Sequence, residues 1–280
     1  MGFLGKVWYF KNKMSTIHHL PTILLFLLGL CVGSFLNVFI DWSVGKRKSL
    51  FTPPSYCDHC EHRLGFWDLI PVFSFLFLRG RCRYCGKQIL LQYPLVELAT
   101  GLVFVAVAGI GNRELVSDSF AGFQFLIPYA YSLLVFLTLI VVFVTDLRYG
   151  VIPDRVILPA IFLSLPYSLF VMHNSLLTAL VVAFAFFLLY FFSKGKALGF
   201  GDVKLVFFLS LTLGFPYVIL ALWISFVLGG LVAGILLFLG KKKLKDEIPL
   251  GPFLVIGTVL TMFFGKAVLF RISNFGFRIF

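Results

Sequence analysis

The chain has 280 residues, of which 60% are hydrophobic and only 13% charged, with a mean hydropathy of +1.00. That balance excludes a water-soluble globule, which needs far more surface charge, and the apolar runs lack the alternation of a β-barrel. The net charge of +12 does not point to nucleic acid, because the Lys and Arg residues sit between apolar runs and most of the 36 Phe lie inside them.

Eight apolar runs follow in chain order, at about residues 20–41, 94–111, 126–146, 155–172, 175–193, 203–215, 217–240 and 250–270. Most approach the roughly 20 residues of a bilayer crossing, so the expected fold class is an all-α polytopic membrane protein with about eight transmembrane helices. The first run follows a mildly basic leader with no small-residue cleavage site after it, and is read as a retained span. Cys31 inside it reads as a small packing residue. Gly214-Phe215-Pro216 reads as a tight turn between the sixth and seventh runs. No repeat of fixed short period stands out, and the expected organisation is 1–41, leader and first span; 42–93, a polar insert; 94–280, a membrane core.

The insert carries Cys57-x-x-Cys60 and Cys82-x-x-Cys85, with 21 residues between the pairs. Two such knuckles can close four thiolates around tetrahedral Zn²⁺, a structural metal because no position is left for water. Free thiols or a redox pair are the alternatives. If the insert is cytoplasmic and every run crosses once, its side of the membrane collects 17 Lys and Arg against 7 on the other. This asymmetry sets the orientation, although the three lysines of the leader oppose it.

Acids at the edges of spans are costly and mark function. Asp41, Glu97, Asp146 and Asp202 qualify. Asp146 ends the third run, and Asp202 opens the sixth within Gly199-Phe200-Gly201-Asp202-Val203-Lys204. Two carboxylates sharing a proton let one act as base on a water while the other acts as acid, which is the chemistry of an aspartyl protease. The glycines allow close backbone approach to a helix or substrate. The simpler alternatives are a helix cap for Asp202, an ion pair with Arg148 or Arg155 for Asp146, and a cap for Asp154.

Six segments in order carry a resemblance: Gly33-Ser34-Phe35-Leu36-Asn37, the two cysteine pairs, Tyr93-Pro94-Leu95-Val96-Glu97, Asp146 with Ile152-Pro153-Asp154, Gly199 to Lys204, and Ile248-Pro249-Leu250-Gly251-Pro252-Phe253. Together they resemble the bacterial type IV prepilin peptidases, which are GxGD membrane aspartyl proteases. The resemblance implies cleavage of the basic leader of prepilins or pseudopilins, which serve type IV pili and secretion. It places the enzyme in the inner membrane, with its site at the cytoplasmic face and Asp146 and Asp202 catalytic. It further implies that Gly199, Gly201, Gly251, Pro252 and Phe253 position substrate. It also implies N-methylation of the new N-terminus with S-adenosylmethionine, associated with the insert and with Gly80, Arg81 and Glu97. The chain departs from the family where Asp41-Trp42-Ser43-Val44-Gly45-Lys46 replaces a basic-Leu-Pro stretch. Because the insert is basic, leader recognition falls to its local acids Asp58, Glu61 and Asp68. A protease without methyl transfer, and a transporter or scaffold whose acids bind ions or helices, are the competing readings.

Overall fold

A computed structural model describes the backbone of residues 3–47, 50, 55–111, 121–170, 175–196, 198–240 and 248–274. The expectations resting on Arg113, Lys241–Lys245 and the last six residues fall outside these. The described residues are helical, with two isolated β-bridges and no strand. A backbone segment in lipid has no water to bond, so apolar runs of this length satisfy their own N–H and C=O groups as helices.

The helices are α1 (Phe3–Ser43), α2 (Phe73–Phe77), α3 (Gln92–Gly111), α4 (Ala121–Tyr149), α5 (Asp154–Phe170), α6 (Ser175–Ser193), α7 (Phe200–Leu213), α8 (Tyr217–Phe238) and α9 (Gly251–Asn274). Each of the eight expected runs lies on one of α1 and α3 to α9, and α2, within the insert, is additional. Among the described residues, six helices are long and apolar enough to cross a membrane: Pro21–Ser43 of α1, Gln92–Gly109 of α3, Ile127–Tyr149 of α4, Ser175–Ser193, Tyr217–Phe238 and Gly251–Phe270. The chain is a multi-pass membrane protein. With 17 and 14 residues, α5 and α7 are shorter, about 25 and 21 Å at the helical rise. The first helix is longer than its run, continuing back through the leader to Phe3.

The chain divides into two compact units, Met1–Ile140 and Val141–Phe280. In the first, α1 lies along α3. Small residues let the two backbones touch: a Cβ on Gly33 would stand 2.6 Å from the Glu97 Cα, and one on Gly29 2.7 Å from the Gly101 Cα. The Asn37 amide donates to the Gly33 and Tyr93 carbonyls, at 3.3 and 3.1 Å, tying the last turns of α1 to the start of α3.

In the second unit α7 is the central rod. It packs on α5 and α6 and also touches α8 and α9. From Val203 to Leu213 only Lys204 and Phe207 escape full burial, so its sides are covered by protein all round. Hydroxyls inside the apolar helices are satisfied locally: Ser210 donates to the Val206 carbonyl, Ser225 to Ala221 and Thr261 to Gly257, at 2.7–2.8 Å.

Gly33→Leu is expected to force α1 from α3 and to destabilise the protein by about 1–3 kcal/mol, the usual cost of overpacking. A lowered midpoint of thermal unfolding in detergent checks this; an unchanged midpoint contradicts the contact.

Candidate active site and metal centre

Asp146 lies in the last turn of α4 and is 6% exposed. Its Oδ2 accepts the Gly251 N–H at 2.9 Å, a bond from the first residue of α9 spanning 105 positions of sequence. A Cβ on Gly251 would lie 2.5 Å from that same oxygen. Glycine is therefore required here by the approach of a carboxylate to the backbone, a contact no local pattern announces. Asp202 is the third residue of α7, and its Oδ2 accepts the Gly199 N–H at 3.2 Å. Gly199 is the cap, and Asp202 closes the first turn back onto it. Both aspartates border the short 150–154 link, Asp146 before it in α4 and Asp202 at the head of α7, next to the Gly201 that packs on it.

The second glycine of the Gly-Phe-Gly-Asp segment also has a steric reason. A Cβ on Gly201 would stand 3.2 Å from the Ile152 Cβ, so α7 begins pressed against the 150–154 link. Just beyond that link, Asp154 opens α5 and forms an ion pair with Lys204 of α7 at 2.6 Å. The expected cap is thus also a fastener between two helices. Arg148, an expected partner of Asp146, has its guanidinium 5.3 Å from the Tyr149 ring centre.

In the insert, the sulfurs of Cys57, Cys60, Cys82 and Cys85 all lie within 4.8 Å of one another, with Cys57 and Cys85 at 3.9 Å. Thiolates at the corners of a zinc tetrahedron stand about 3.8 Å apart, given a Zn–S bond near 2.3 Å. The four cysteines fit a metal of that size. Burial pushes the Cys57 thiol up, but N–H bonds from His59 and Cys60 and the thiols of Cys82 and Cys60 outweigh it, bringing it to about 7. The His62 N–H lowers the Cys60 thiol, yet desolvation and the sulfurs of Cys57 and Cys85 push it up to about 11.

The two knuckles repeat one another at an offset of 25 residues. Tyr56 bridges Arg63 as Arg81 bridges Gln88. Cys57 donates to the His62 carbonyl as Cys82 does to Lys87, and Glu61 donates to Cys57 as Gly86 does to Cys82. The cysteines carry the same offset, Cys57 to Cys82 and Cys60 to Cys85, in a stretch where the sequence shows no other repeat. One brace joins the halves: Asp68 pairs with Arg83 at 2.8 Å and accepts the Tyr84 hydroxyl at 3.1 Å. Desolvation and the Asp68 charge raise the Tyr84 phenol. Asp58 likewise accepts the Tyr93 hydroxyl at 3.1 Å. Two of the three acids assigned to leader recognition are thus engaged inside the insert.

Of the residues expected at a methyl-donor site, Glu97 is buried, and its carboxylate accepts the Val72 N–H at 2.7 Å and a bond from Ser34. Gly80, at φ +69°, backs onto the Phe75 ring, and Arg81 is exposed. Pro252 and Phe253 follow Gly251 in the first turn of α9.

Residues 27–110 match the bacterial peptidase A24 N-terminal domain, and residues 133–234, which hold both aspartates, match the type IV leader peptidase family. A protein of Burkholderia pseudomallei strain 1026b is 32% identical over 85% of this chain and 84% of its own. One of Pectobacterium carotovorum subsp. carotovorum is 34% identical over 84% and 90%, and one of Aeromonas hydrophila 32% over 91% and 96%. All three bear the name prepilin leader peptidase/N-methyltransferase. The chain belongs to the type IV leader peptidase family. No solved structure matches it. Within this family fold, the N-terminal match contains the four cysteines and Glu97, so the cluster and the aspartates fall in different family domains.

The knuckle repeat generates a test. Glu61 holds φ +54° where the second knuckle has Gly86 at φ +70°. Glu61→Gly is expected to relieve left-handed strain and to stabilise the protein by on the order of 1 kcal/mol or less. Thermal unfolding of the metal-loaded protein reads this out; a loss of stability would show that the Glu61 side chain has another role.

Proposed function

We propose that this membrane peptidase removes the basic leader from prepilins or pseudopilins at the cytoplasmic face of the bacterial inner membrane, with Asp146 and Asp202 as its catalytic pair. The reading rests on one observation: two carboxylates, at the end of α4 and the start of α7, border the 150–154 link, on whose Ile152 Gly201 packs, and each is oriented by a glycine N–H. Facing carboxylates that share a proton titrate together, and the sharing belongs to the pair rather than to either residue. The ionised member takes a proton from water as the water adds to the scissile carbonyl. The protonated member supplies the proton that the carbonyl oxygen needs. As the tetrahedral carbon collapses, the diol returns that proton to the second carboxylate, and the proton taken from water passes to the departing amine. The Gly251 N–H fixes one oxygen of Asp146, leaving the other for this exchange. In this reading Gly199, Gly201, Gly251, Pro252 and Phe253 position the substrate strand. The organisation is 1–41, first span; 42–93, insert; 94–280, protease core.

Cys57, Cys60, Cys82 and Cys85 hold a structural Zn²⁺ that supplies no open coordination site and keeps the knuckles folded. The relatives' name supports N-methylation of the new N-terminus with S-adenosylmethionine, which supplies the methyl group when bound. Gly80, Arg81 and Glu97 are the residues proposed for it. They do not by themselves make a cradle for that donor, because the Glu97 carboxylate is engaged by Val72 and Ser34, so no step is derived through it. That engagement favours the second reading, a peptidase without methyl transfer. A transporter is disfavoured because both acids sit at helix ends rather than at mid-membrane.

Purified protein in detergent is to be given a synthetic prepilin, with and without S-adenosylmethionine, and the products read by mass spectrometry. Cleavage by wild type is expected, with a loss of roughly 10⁴-fold in Asp146→Asn and Asp202→Asn. Cleavage that survives both substitutions ends the dyad model. A donor-dependent mass gain of one CH₂ on the product separates the first reading from the second.

Gly251→Ala displaces the Asp146 carboxylate rather than removing it. A misplacement of this kind is expected to lower the cleavage rate by about 10²-fold. The same assay, with unfolding followed in parallel, checks it; full activity would show that the Gly251 contact is dispensable.

A further inference from the structure

The stretch between the two knuckles does not behave as part of a polar insert. Gly65 to Leu78 reads Gly-Phe-Trp-Asp-Leu-Ile-Pro-Val-Phe-Ser-Phe-Leu-Phe-Leu, with Asp68 its one charged residue, and that acid is turned inward to Arg83. A stretch of this kind beside a water-filled compartment is expected to bury its apolar groups. Instead Phe66 is 78% exposed, Trp67 70%, Leu76 63% and Phe77 85%, with Leu69 and Phe73 also exposed. Phe73, Leu76 and Phe77 stand at helical spacing on α2, so they share one outward face. Phe75 turns the other way, onto Gly80.

This apolar projection is held at a fixed height. Val72, the residue before α2, has φ +62°, a strained value for a β-branched side chain. Its N–H is fixed by the Glu97 carboxylate, which lies in the second turn of α3, where that helix begins its candidate membrane span. The projection is therefore tethered to a span at the level where hydrocarbon gives way to headgroups. Charge points the same way. Arg79 and Arg81 follow α2 directly and are exposed, as is Lys87, and the 42–93 insert as a whole has eight basic residues against three acidic.

We propose that the Phe66–Phe77 segment is an interfacial anchor that lies in the headgroup and upper acyl region of the protein's own membrane, with Arg79 and Arg81 on anionic lipid phosphates. Aromatic and aliphatic groups beside a basic rim are the chemistry of such anchors. Contiguous exposed apolar surface requires an occupant, and continuity with the α3 span makes that occupant lipid. A basic peptide would be repelled by the same rim to which anionic headgroups are drawn. Glu97 is then a positioning residue: its carboxylate sets the depth of the anchor, and through it the stance of the cysteine cluster against the membrane.

The test places the photoreactive residue p-benzoyl-phenylalanine at Phe77 in the full chain, reconstituted in nanodiscs of phosphatidylcholine with or without phosphatidylglycerol. The same residue at His59, exposed in the first knuckle, is the control. Because Phe77 is almost fully exposed, the substitution leaves the fold intact, checked by a monodisperse profile and retained metal. The expected result is lipid adducts at 77 several-fold above those at 59, rising further when phosphatidylglycerol is present. Adducts at 77 no more frequent than at 59 overturn the proposal. So do crosslinks that move from lipid to an added prepilin, which would make the patch a substrate dock. Equal yields in both lipid mixtures overturn the anionic part of the assignment. Glu97→Gln, which keeps an acceptor for the Val72 N–H, is expected to retain the adducts, while Glu97→Ala loses them.

Discussion

A carboxylate held at the boundary of a bilayer has lost most of its water, and its neighbours must replace what the water supplied. In this chain backbone N–H groups do so. Gly251 donates to Asp146 and Gly199 to Asp202, while Val72 donates to Glu97 in the other unit. Each donor stands at the start of a helix, where an unpaired N–H seeks an acceptor in any case. One bond thus meets two needs, the acid's and the helix end's. The arrangement also explains why glycine recurs beside these acids, since at Gly251 any side chain would occupy the carboxylate's place.

Around that constraint the second unit is built as a sheathed rod. The helix that brings Asp202 has protein on every side, while the outer helices α6 and α8 carry rows of exposed large residues such as Phe184, Phe191, Trp223 and Leu231. Apolar content alone does not distinguish the two situations, because lipid and protein interior ask for the same side chains. What distinguishes α7 is its length and its nearly unbroken burial from Val203 to Leu213.

The legible and the illegible parts of the sequence divide along physical lines. Hydrophobic runs report helices directly, so all eight long helices were expected close to where they lie, and paired CxxC motifs report a cluster because four sulfurs at that spacing have few other uses. Contacts between distant residues leave no periodic trace. The bond from Gly251 to Asp146 crosses 105 positions, and the Val72 bond to Glu97 joins an insert to a span. The partners of the insert's acids are equally hidden: Asp58 accepts the Tyr93 hydroxyl and Asp68 that of Tyr84, 35 and 16 positions away. The apolar stretch from Phe66 to Phe77 was hidden by its setting, since charge averaged over residues 42–93 masks a short run between two basic knuckles.

At about 21 Å against a hydrocarbon thickness near 30 Å, α7 falls some 9 Å short of a full crossing. A lipid-facing helix of that length would be corrected by thinning of the surrounding bilayer. Because α7 packs on α5 and α6 and touches α8 and α9, its length answers to protein neighbours and not to lipid. A change of bilayer thickness is then borne by the longer helices α6, α8 and α9, and it reaches the turn that carries Asp202 only through them.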